Sequence, residues 1–366
     1  MTPFALSSLE FNVERYGVLM APQEGNDLEV EGCLNPAGVI GPDGHYYLFP
    51  RIVAAGNYSR IGLGRVRYDS QGRPCGVERL GIAIEPSESY EVGGSGIGGC
   101  EDARVTRVES LGLYIMCYTA FDGVQARIAL ATSCDLRAWR KRGVVGLAPE
   151  GGADFTIYPN KDAILFPKPV YAPNGDLSVA LMHRPIYDML AETGAGLAWT
   201  PAPLPAGVTD DRPSIWLSYC ALTDVVACLE DGRAPTFGQH TLLATPTQDW
   251  EAYRIGGGTA PLLTTLGWLT FYHGVARDAA GERCYQAGAL ILDRIDLRTV
   301  LFRTERPIFG PQGQDECVGV VNNVVFVEAA VERDGGIDVY YGMADSRVGV
   351  VHLTDKVAAP ALRSAA

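Results

Sequence analysis

A unit that recurs five times along the chain limits its fold more than any other feature of the sequence. Each unit begins with polar residues that lead into an apolar strand, and ten to twenty residues later an aromatic-rich second strand ends in another polar group. The unit starts are Asn35 (NPAGVI), Glu101-Asp102 (EDARVTRV), Lys161-Asp162 (KDAILFP), Gly258-Thr259 (GTAPLL) and Asn322-Asn323 (NNVVFV). The second strands end at Arg51, Tyr118-Thr119, His183-Arg184, His273 and Asp345. Self-similarity at this spacing indicates a repetitive architecture.

The segments between these strands predict an all-β protein. Turn sequences such as GPDGH at 41–45 and APNGD at 172–176 contain the Asp-Gly and Asn-Gly pairs that tolerate the positive φ of tight turns. Five units suit a five-bladed β-propeller, in which four-stranded blades surround a central channel; an irregular β-sandwich is the alternative. We expect one domain over residues 1–366, with blades starting near residues 35, 102, 161, 258 and 322, an insertion loop at about 187–214 and a fraying tail at about 357–366.

The net charge of −13 argues against nucleic-acid binding, because a protein that follows phosphates needs a basic face. No apolar stretch approaches the roughly 18 residues of a membrane-spanning helix, and the N-terminus lacks the basic-then-apolar pattern of a secretory signal. The nine cysteines form no CxxC pair and the five histidines show no metal-ligand spacing, so no metal site is predicted. We expect a reduced, cytoplasmic protein that uses no cofactor.

Polar residues at the strand starts and ends predict what the central channel binds. The inner strands of a propeller line its channel, so polar residues at their starts converge on the axis. The strand starts would supply Asn35, Asp102, Lys161 and Asn322, and the second strands would supply Arg51, His183, Arg184, His273 and Asp345. A pocket that mixes carboxylates, cations and aromatic groups suits a polyhydroxylated ligand together with an anion.

The segment Gly99-Cys100-Glu101-Asp102-Ala103-Arg104 is the most unusual of these strand starts. Successive side chains on a regular strand face opposite sides, so Glu101 and Asp102 are not expected to point into the channel together. One carboxylate would perform chemistry while the other pairs with Arg104 or caps the backbone. A solvent-facing ion pair in a turn is the alternative.

Several of these motifs resemble those of glycoside hydrolase family 130, the β-mannoside phosphorylases and β-mannosidases, whose fold is a five-bladed propeller. The resemblance covers about residues 33–352 and keeps the family's order of motifs. The matching segments are CEDARV, CYTAFDGVQARIALATSCDLRAWRKRG, KDAILFP, LMHRP, GWLTFYHGV, VNNVVFVEAA and YYGMADSRVGV. Family members usually carry Glu-Asp-Pro-Arg, so Ala103 is a departure that removes a rigid turn but no catalytic group.

The resemblance implies a role for several residues. Asp102 would be the general acid of an inverting reaction, acting through the mannosyl 3-hydroxyl, while inorganic phosphate attacks the opposite face of the sugar. The phosphate-binding positions are Arg127, Lys161, His183, Arg184 and His273. The sugar-binding positions are Asn35, Ser59, Arg60, Glu101, Tyr118, Asn322 and Asp345. Individually, Arg127 could be a surface strand residue, His273 a core histidine and Tyr118 a packing residue, and either Asn322 or Asn323 could face the pocket.

These expectations favour a phosphorylase that transfers a mannosyl group from a β-mannoside to phosphate and so forms α-mannose 1-phosphate. The cationic residues at the predicted phosphate-binding positions favour the phosphorylase over the alternative, a β-mannosidase that uses water as nucleophile. A carbohydrate-binding propeller without catalysis is a third possibility, against which Asp102 in its motif argues. The expected partners are the β-mannoside and phosphate, and a homo-oligomer is an open alternative to a monomer.

Overall fold

Strands dominate the part of the chain that the structure describes, residues 9–93, 97–187 and 204–356 of this computed structural model. The predicted all-β class is confirmed. The strands are β1 (Phe11–Met20), β2 (Gly32–Ile40), β3 (Tyr46–Ala54), β4 (Tyr58–Tyr68), β5 (Pro74–Ile84), β6 (Gly98–Val108), β7 (Leu113–Phe121), β8 (Ala126–Ser133), β9 (Arg140–Val144), β10 (Gly146–Leu147), β11 (Asn160–Leu165), β12 (Val170–Tyr171), β13 (Leu177–Pro185), β14 (Ile215–Ala221), β15 (Thr236–Ala244), β16 (Arg254–Gly257), β17 (Leu262–Leu263), β18 (Trp268–Arg277), β19 (Arg283–Leu292), β20 (Val300–Arg303), β21 (Val325–Arg333), β22 (Gly336–Met343) and β23 (Arg347–Asp355).

Two helices accompany the strands in these residues, α1 (Leu222–Glu230) and α2 (Gln314–Cys317). No helix in the described ranges has the length and apolar character needed to cross a membrane. The same ranges contain three 3₁₀ turns, at Glu109–Leu111, Phe155–Ile157 and Asp249–Glu251. Residues 188–203 of the predicted insertion loop, and the whole predicted tail at 357–366, lie outside the described residues.

Antiparallel pairing divides the long strands into five strand groups, numbered 1 to 5 here. Group 1 is β2–β3–β4–β5, group 2 is β6–β7–β8–β9, group 3 is β11–β13–β14–β15, group 4 is β16–β18–β19–β20, and group 5 is β21–β22–β23–β1. The turns between paired strands have the predicted chemistry: Gly44 and Gly175 adopt φ of +80° and +88°. A short parallel contact, Tyr58–Ser59 against Gly98–Gly99, joins groups 1 and 2.

Group 5 is completed by the first strand of the chain. β1 pairs antiparallel with β23, from Phe11 opposite Asp355 to Met20 opposite Val348. The described N- and C-terminal strands therefore lie side by side in one sheet.

The hydrophobic core is divided into five clusters, and each cluster lies between two successive strand groups. Representative pairs are Phe49 with Met116 between groups 1 and 2, Ile128 with Leu181 between groups 2 and 3, Leu217 with Leu290 between groups 3 and 4, Phe271 with Tyr341 between groups 4 and 5, and Leu48 with Tyr340 between groups 5 and 1. Strands such as β13 are apolar along both faces because each face packs against a neighbouring group.

A buried glutamate anchors the loop before the first strand in three of the groups. In each case the carboxylate accepts a hydrogen bond from a tyrosine of the second strand and pairs with a cation on the outermost strand. The three glutamate anchors are Glu91 with Tyr118 and Lys141, Glu251 with Tyr272 and Arg303, and Glu316 with Tyr341 and Arg15. Each anchor also accepts hydrogen bonds from backbone N–H groups of its own loop, such as Thr247 and Gln248 for Glu251.

Replacing Glu251 with alanine is expected to destabilise the protein by about 3–5 kcal/mol, because it leaves Arg303 and two backbone donors without their buried acceptor. The matched control is Glu78→Ala, which removes an exposed pair with Arg65 and should cost at most about 1 kcal/mol. The melting temperatures of both variants provide the measurement. Equal melting temperatures would show that the glutamate anchors do not stabilise the fold.

Candidate active site

The first strands of groups 1, 2, 3 and 5 each contain a β-bulge, and these bulges carry polar residues. The antiparallel register slips between Leu34 and Ala37, between Glu101 and Arg104, between Lys161 and Ile164, and between Val327 and Ala329. Within the first three bulges, Asn35, Asp102 and Asp162 adopt φ of +44°, +45° and +55°. Asn and Asp are the residues besides glycine that tolerate this left-handed conformation best, which explains why the repeat carries them there.

The bulge in β6 places two adjacent carboxylates on the same side. Arg51 Nη2 lies 3.0 Å from Glu101 Oε1, and its Nη1 lies 3.4 Å from Asp102 Oδ1. Lys161 Nζ lies 3.6 Å from Glu101 Oε2. Both carboxylates approach Arg51 because a bulge interrupts the alternation of a regular strand, and of the two only Asp102 lines the neighbouring cavity, as expected.

Arg51, Asp102 and Lys161 border a cavity of about 140 Å³. Its lining contains four cations and three carboxylates together with polar and aromatic groups. The lining residues are Asn35, Arg51, Asp102, Lys161, Asp162, Arg184, Arg254, His273, Tyr285, Phe326 and Asp345. Asn35 Nδ2 donates to Asp102 Oδ1 over 2.9 Å, and Ser59 Oγ accepts from Arg51 Nε over 2.8 Å just behind the lining. Such a surface can bind a polyhydroxylated ligand and an anion together.

One side of the cavity is suited to an anion. Arg184 donates its Nε to Asp162 Oδ2 over 2.6 Å, while its buried Nη1 has no hydrogen-bond partner among the described residues. Arg254 donates to the hydroxyl of Tyr285. His273 lies beside them, and burial lowers its pKa to about 3, so the imidazole is neutral at pH 7. The positive charge here comes from the two arginines, and His273 can offer a neutral N–H.

The carboxyl groups of Asp102 and Asp345 have different proton affinities in this cavity. Burial raises the pKa of Asp102, but the charges of Arg51 and Lys161 outweigh burial, and the pKa lies below its usual range. Burial raises the pKa of Asp345 to about 6, because the opposing effect of Arg51 is smaller there. In the free protein at neutral pH, Asp102 is ionised and Asp345 titrates just below neutrality.

Seven predicted site residues do not line the cavity. Ser59 and Glu101 contact the lining residue Arg51, and the other five have partners elsewhere. His183 is fully buried with its ring nitrogens beside Asn160 and Ser218, because it neighbours the inward Arg184 on a regular stretch of strand. Burial lowers the pKa of His183 to about 3, so it offers no charge to an anion. The other four are Arg60, which pairs with Glu85; Tyr118, which bonds to Glu91; Arg127, which pairs with Asp122; and Asn322, which is exposed and accepts from the Gly319 N–H.

Sequence reasoning missed four lining residues. Asp162 was visible in the repeat, since KDA at 161–163 parallels EDA at 101–103. Arg254, Tyr285 and Phe326 left no signal, because they stand outside the recurring positions. Asn322 and Asn323, the predicted start of the fifth unit, both precede β21. The bulge of β21 is at Glu328, so Glu328 takes the position that Asn35, Asp102 and Asp162 have in the other strands. No group of three or more His, Cys, Asp or Glu side chains in the described ranges is placed to hold a metal ion.

Comparison with known proteins identifies the family. A family model described as beta-1,4-mannooligosaccharide phosphorylase, glycoside hydrolase family 130, matches residues 205–359. The 1,2-beta-oligomannan phosphorylase of Thermoanaerobacter sp. strain X514 is 28% identical over 343 residues, which cover 92% of this chain and 95% of that protein.

Solved structures share the fold. A beta-1,2-mannobiose phosphorylase from Listeria innocua, solved with beta-1,2-mannobiose, superposes with a TM-score of 0.68 at 22% identity and covers 94% of this chain and 97% of its own. A second structure superposes with a TM-score of 0.64 at 19% identity, covering 95% and 96% of the two chains. It was described in work on family 130 glycoside hydrolases that target beta-1,2 mannosidic linkages in Candida mannan. The motifs, the family model and the relative that matches over nearly its whole length agree: the chain is an enzyme of glycoside hydrolase family 130.

Proposed function

We propose that this enzyme is an inverting phosphorylase that cleaves β-mannosides with inorganic phosphate to give α-mannose 1-phosphate. The observation that carries the proposal is the placement of Arg184 and Arg254 in the same small cavity as Asp102. Two buried guanidiniums suit a phosphate dianion, which accepts forked hydrogen bonds from arginine. Phosphate itself would be the nucleophile, so no carboxylate base is required.

The cavity residues divide into three roles. Arg184, Arg254, His273 and Lys161 bind phosphate, and Asn35, Asp345 and Arg51 bind mannosyl hydroxyls. Asp102 gives its proton towards the glycosidic oxygen, through the mannosyl 3-hydroxyl as the family resemblance implies. A phosphate oxygen attacks C1 as the C1–O bond breaks, and the leaving saccharide departs as an alcohol. The configuration at C1 is inverted.

The low pKa of Asp102 in the free protein leads to a prediction about pH. A general acid must be protonated, so activity falls as the pH rises through its pKa. A bound phosphate dianion offsets the cations that keep Asp102 ionised and raises its pKa. We expect the descending limb of kcat, measured at saturating phosphate, to lie at higher pH than that of kcat/KM for phosphate. Phosphate concentrations are expressed as the dianion. If the descending limbs of kcat and of kcat/KM lay at the same pH, the coupling between phosphate and Asp102 would be contradicted.

A β-mannosidase that uses water is the second candidate. The observation that favours it is Asp345, a buried cavity carboxyl whose pKa, raised to about 6, would let it accept a proton from water near neutral pH. A hydrolase of this kind would not depend on phosphate. The cleavage rate of such a hydrolase would be unchanged by Arg254→Gln and lowered by Asp345→Asn.

We infer that the five strand groups form a five-bladed β-propeller with the cavity on its axis. The support is the set of five core clusters, one between each pair of successive groups and the fifth between groups 5 and 1. A β-sandwich would have a single core between two layers. The pairing of β1 with β23 supports closure of the ring. The nine unpaired cysteines support a reducing, cytoplasmic location.

The synthetic direction tests the proposal and defines the linkage. The enzyme is incubated with α-mannose 1-phosphate and a panel of acceptors that includes mannose, mannobioses and glucose. A phosphorylase releases phosphate and extends one acceptor with a defined β-linkage. Hydrolysis of the sugar phosphate without any extended product would count against the proposal.

A further inference from the structure

Arg104 lies behind the cavity lining and contacts three strand groups besides its own. Its side chain is 1% exposed. The guanidinium donates from Nη1 to the backbone carbonyl oxygen of Asp102 over 2.9 Å, and from Nε and Nη2 to the carbonyl oxygens of Gly258 and Gly257 over 3.2 and 3.3 Å. A side chain from group 2 thus fixes the backbone of group 4.

The same guanidinium also meets group 5. Arg104 Nη2 lies 3.0 Å from Oε1 of Glu328, the residue in the β21 bulge, and 3.7 Å from Oδ1 of Asp162. The ring of Phe326 covers the guanidinium at 5.5 Å. Burial raises the pKa of Glu328 well above its usual range even though Arg104 opposes the shift, so its neutral form is favoured.

The contacts of Arg104 stabilise the backbone conformation that sets the direction of the Asp102 side chain. A left-handed conformation costs a non-glycine residue about 1–2 kcal/mol, so surrounding bonds must maintain φ of +45° at Asp102. The hydrogen bond from Arg104 to the Asp102 carbonyl closes the bulge, and Glu328 holds the guanidinium in place. Without the bulge, Glu101 and Asp102 would return to opposite faces of the strand.

We propose that Arg104, held by Glu328, is a positioning residue that keeps the Asp102 carboxyl aimed at the leaving-group oxygen. This inference rests on the proposed function of Asp102 as general acid. Arg104 does not line the cavity. Its shortest hydrogen bond to a residue that lines the cavity is to the backbone of Asp102, over 2.9 Å, whereas it lies 3.7 Å from the Asp162 carboxylate. Its loss should therefore harm proton donation more than phosphate binding.

The leaving group separates positioning from a merely structural role. A β-mannobiose needs a proton on its departing oxygen, whereas 4-nitrophenyl β-mannoside releases a stabilised phenolate and needs little protonation. A misplacement of about 1 Å can cost about 100-fold in rate. A misaimed acid therefore slows the mannobiose much more than the aryl mannoside. General damage to the cavity slows both substrates alike.

The experiment compares Arg104→Gln, Glu328→Gln and Glu328→Met with the wild type on both substrates. We expect Arg104→Gln to lower kcat on the mannobiose about 10–100-fold but on the aryl mannoside by less than about threefold. KM for phosphate should stay within about twofold. Glu328→Gln matches the neutral carboxyl in shape and should keep most of the activity. Glu328→Met should instead lower kcat on the mannobiose more than on the aryl mannoside, as Arg104→Gln does.

The outcomes are distinguishable. Equal losses on both substrates, or full mannobiose turnover in Arg104→Gln, would overturn the positioning role. If Arg104→Gln does not fold, Glu328→Met decides between the same two results, since it removes only one partner of the guanidinium. A wild type without phosphate-dependent turnover would instead contradict the proposed function, and it is measured first in the same assay.

Discussion

Replacing Asp102 with asparagine is expected to lower kcat for phosphorolysis of a β-mannobiose by about 10²–10⁴-fold, the usual contribution of general acid catalysis. Asparagine has the same size, tolerates φ of +45° and can accept the hydrogen bond from Asn35. The fold and the anion side of the cavity should therefore persist, and KM for phosphate should change little. Steady-state kinetics with the mannobiose and with phosphate varied in turn provide the measurement.

The dependence of the activity loss on the leaving group is as informative as the size of the loss. With 4-nitrophenyl β-mannoside as substrate, Asp102→Asn should lose much less activity, because the departing phenolate needs little protonation. Asp43→Asn is the control for the chemical change, since Asp43 lies in an exposed turn beside His45. An Asp102→Asn enzyme with full activity on the mannobiose would place the acid elsewhere, and Asp345 would be the next carboxyl to test.

The second large effect concerns phosphate. Arg254→Gln should raise KM for phosphate by about 10–150-fold, which corresponds to losing a charge-assisted hydrogen bond of about 1.5–3 kcal/mol. Burial, aided by the nearby charge of Arg184, lowers the pKa of Arg254. An anion between two guanidiniums relieves their repulsion, so the loss of one should fall mainly on phosphate binding. Arg65→Gln is the matched control, because the half-buried Arg65 pairs with Glu78 and does not line the cavity.

Arg127→Gln discriminates between the resemblance and the observed geometry. Family resemblance assigns Arg127 to phosphate, whereas the structure pairs it with Asp122 over 2.7 Å and with Gln125 over 2.8 Å, away from the cavity lining. Arg127 does not line the cavity, and a surface ion pair of this kind is worth at most about 1 kcal/mol, so KM for phosphate should rise less than about fivefold. A rise as large as that of Arg254→Gln would mean that Arg127 leaves Asp122 when phosphate binds.

The repeat was the part of the site that sequence could reveal. Asn35, Asp102, Lys161, Arg184, His273 and Asp345 all stand at its recurring positions, and the structure brings all six to one cavity. Turn chemistry likewise indicated the hairpins, because Asp-Gly and Asn-Gly pairs have few other conformations that suit them. Local sequence therefore predicted which strand ends matter.

Side-chain direction could not be predicted in the same way. A bulge interrupts the alternation of β6, so Glu101 and Asp102 both approach Arg51, whereas regular pairing keeps His183 opposite to Arg184. Long-range partners were also invisible: Arg104 reaches residues 154 and 224 positions away, at Gly258 and Glu328. No local pattern records such contacts.

The most direct test of the central claim is cleavage of β-1,2- and β-1,4-mannobiose with and without inorganic phosphate, with the products identified by NMR. The account predicts that turnover requires phosphate and that each bond cleaved yields one α-mannose 1-phosphate and one free mannose. Cleavage at the same rate without phosphate, with two free mannose molecules from each mannobiose, would contradict it.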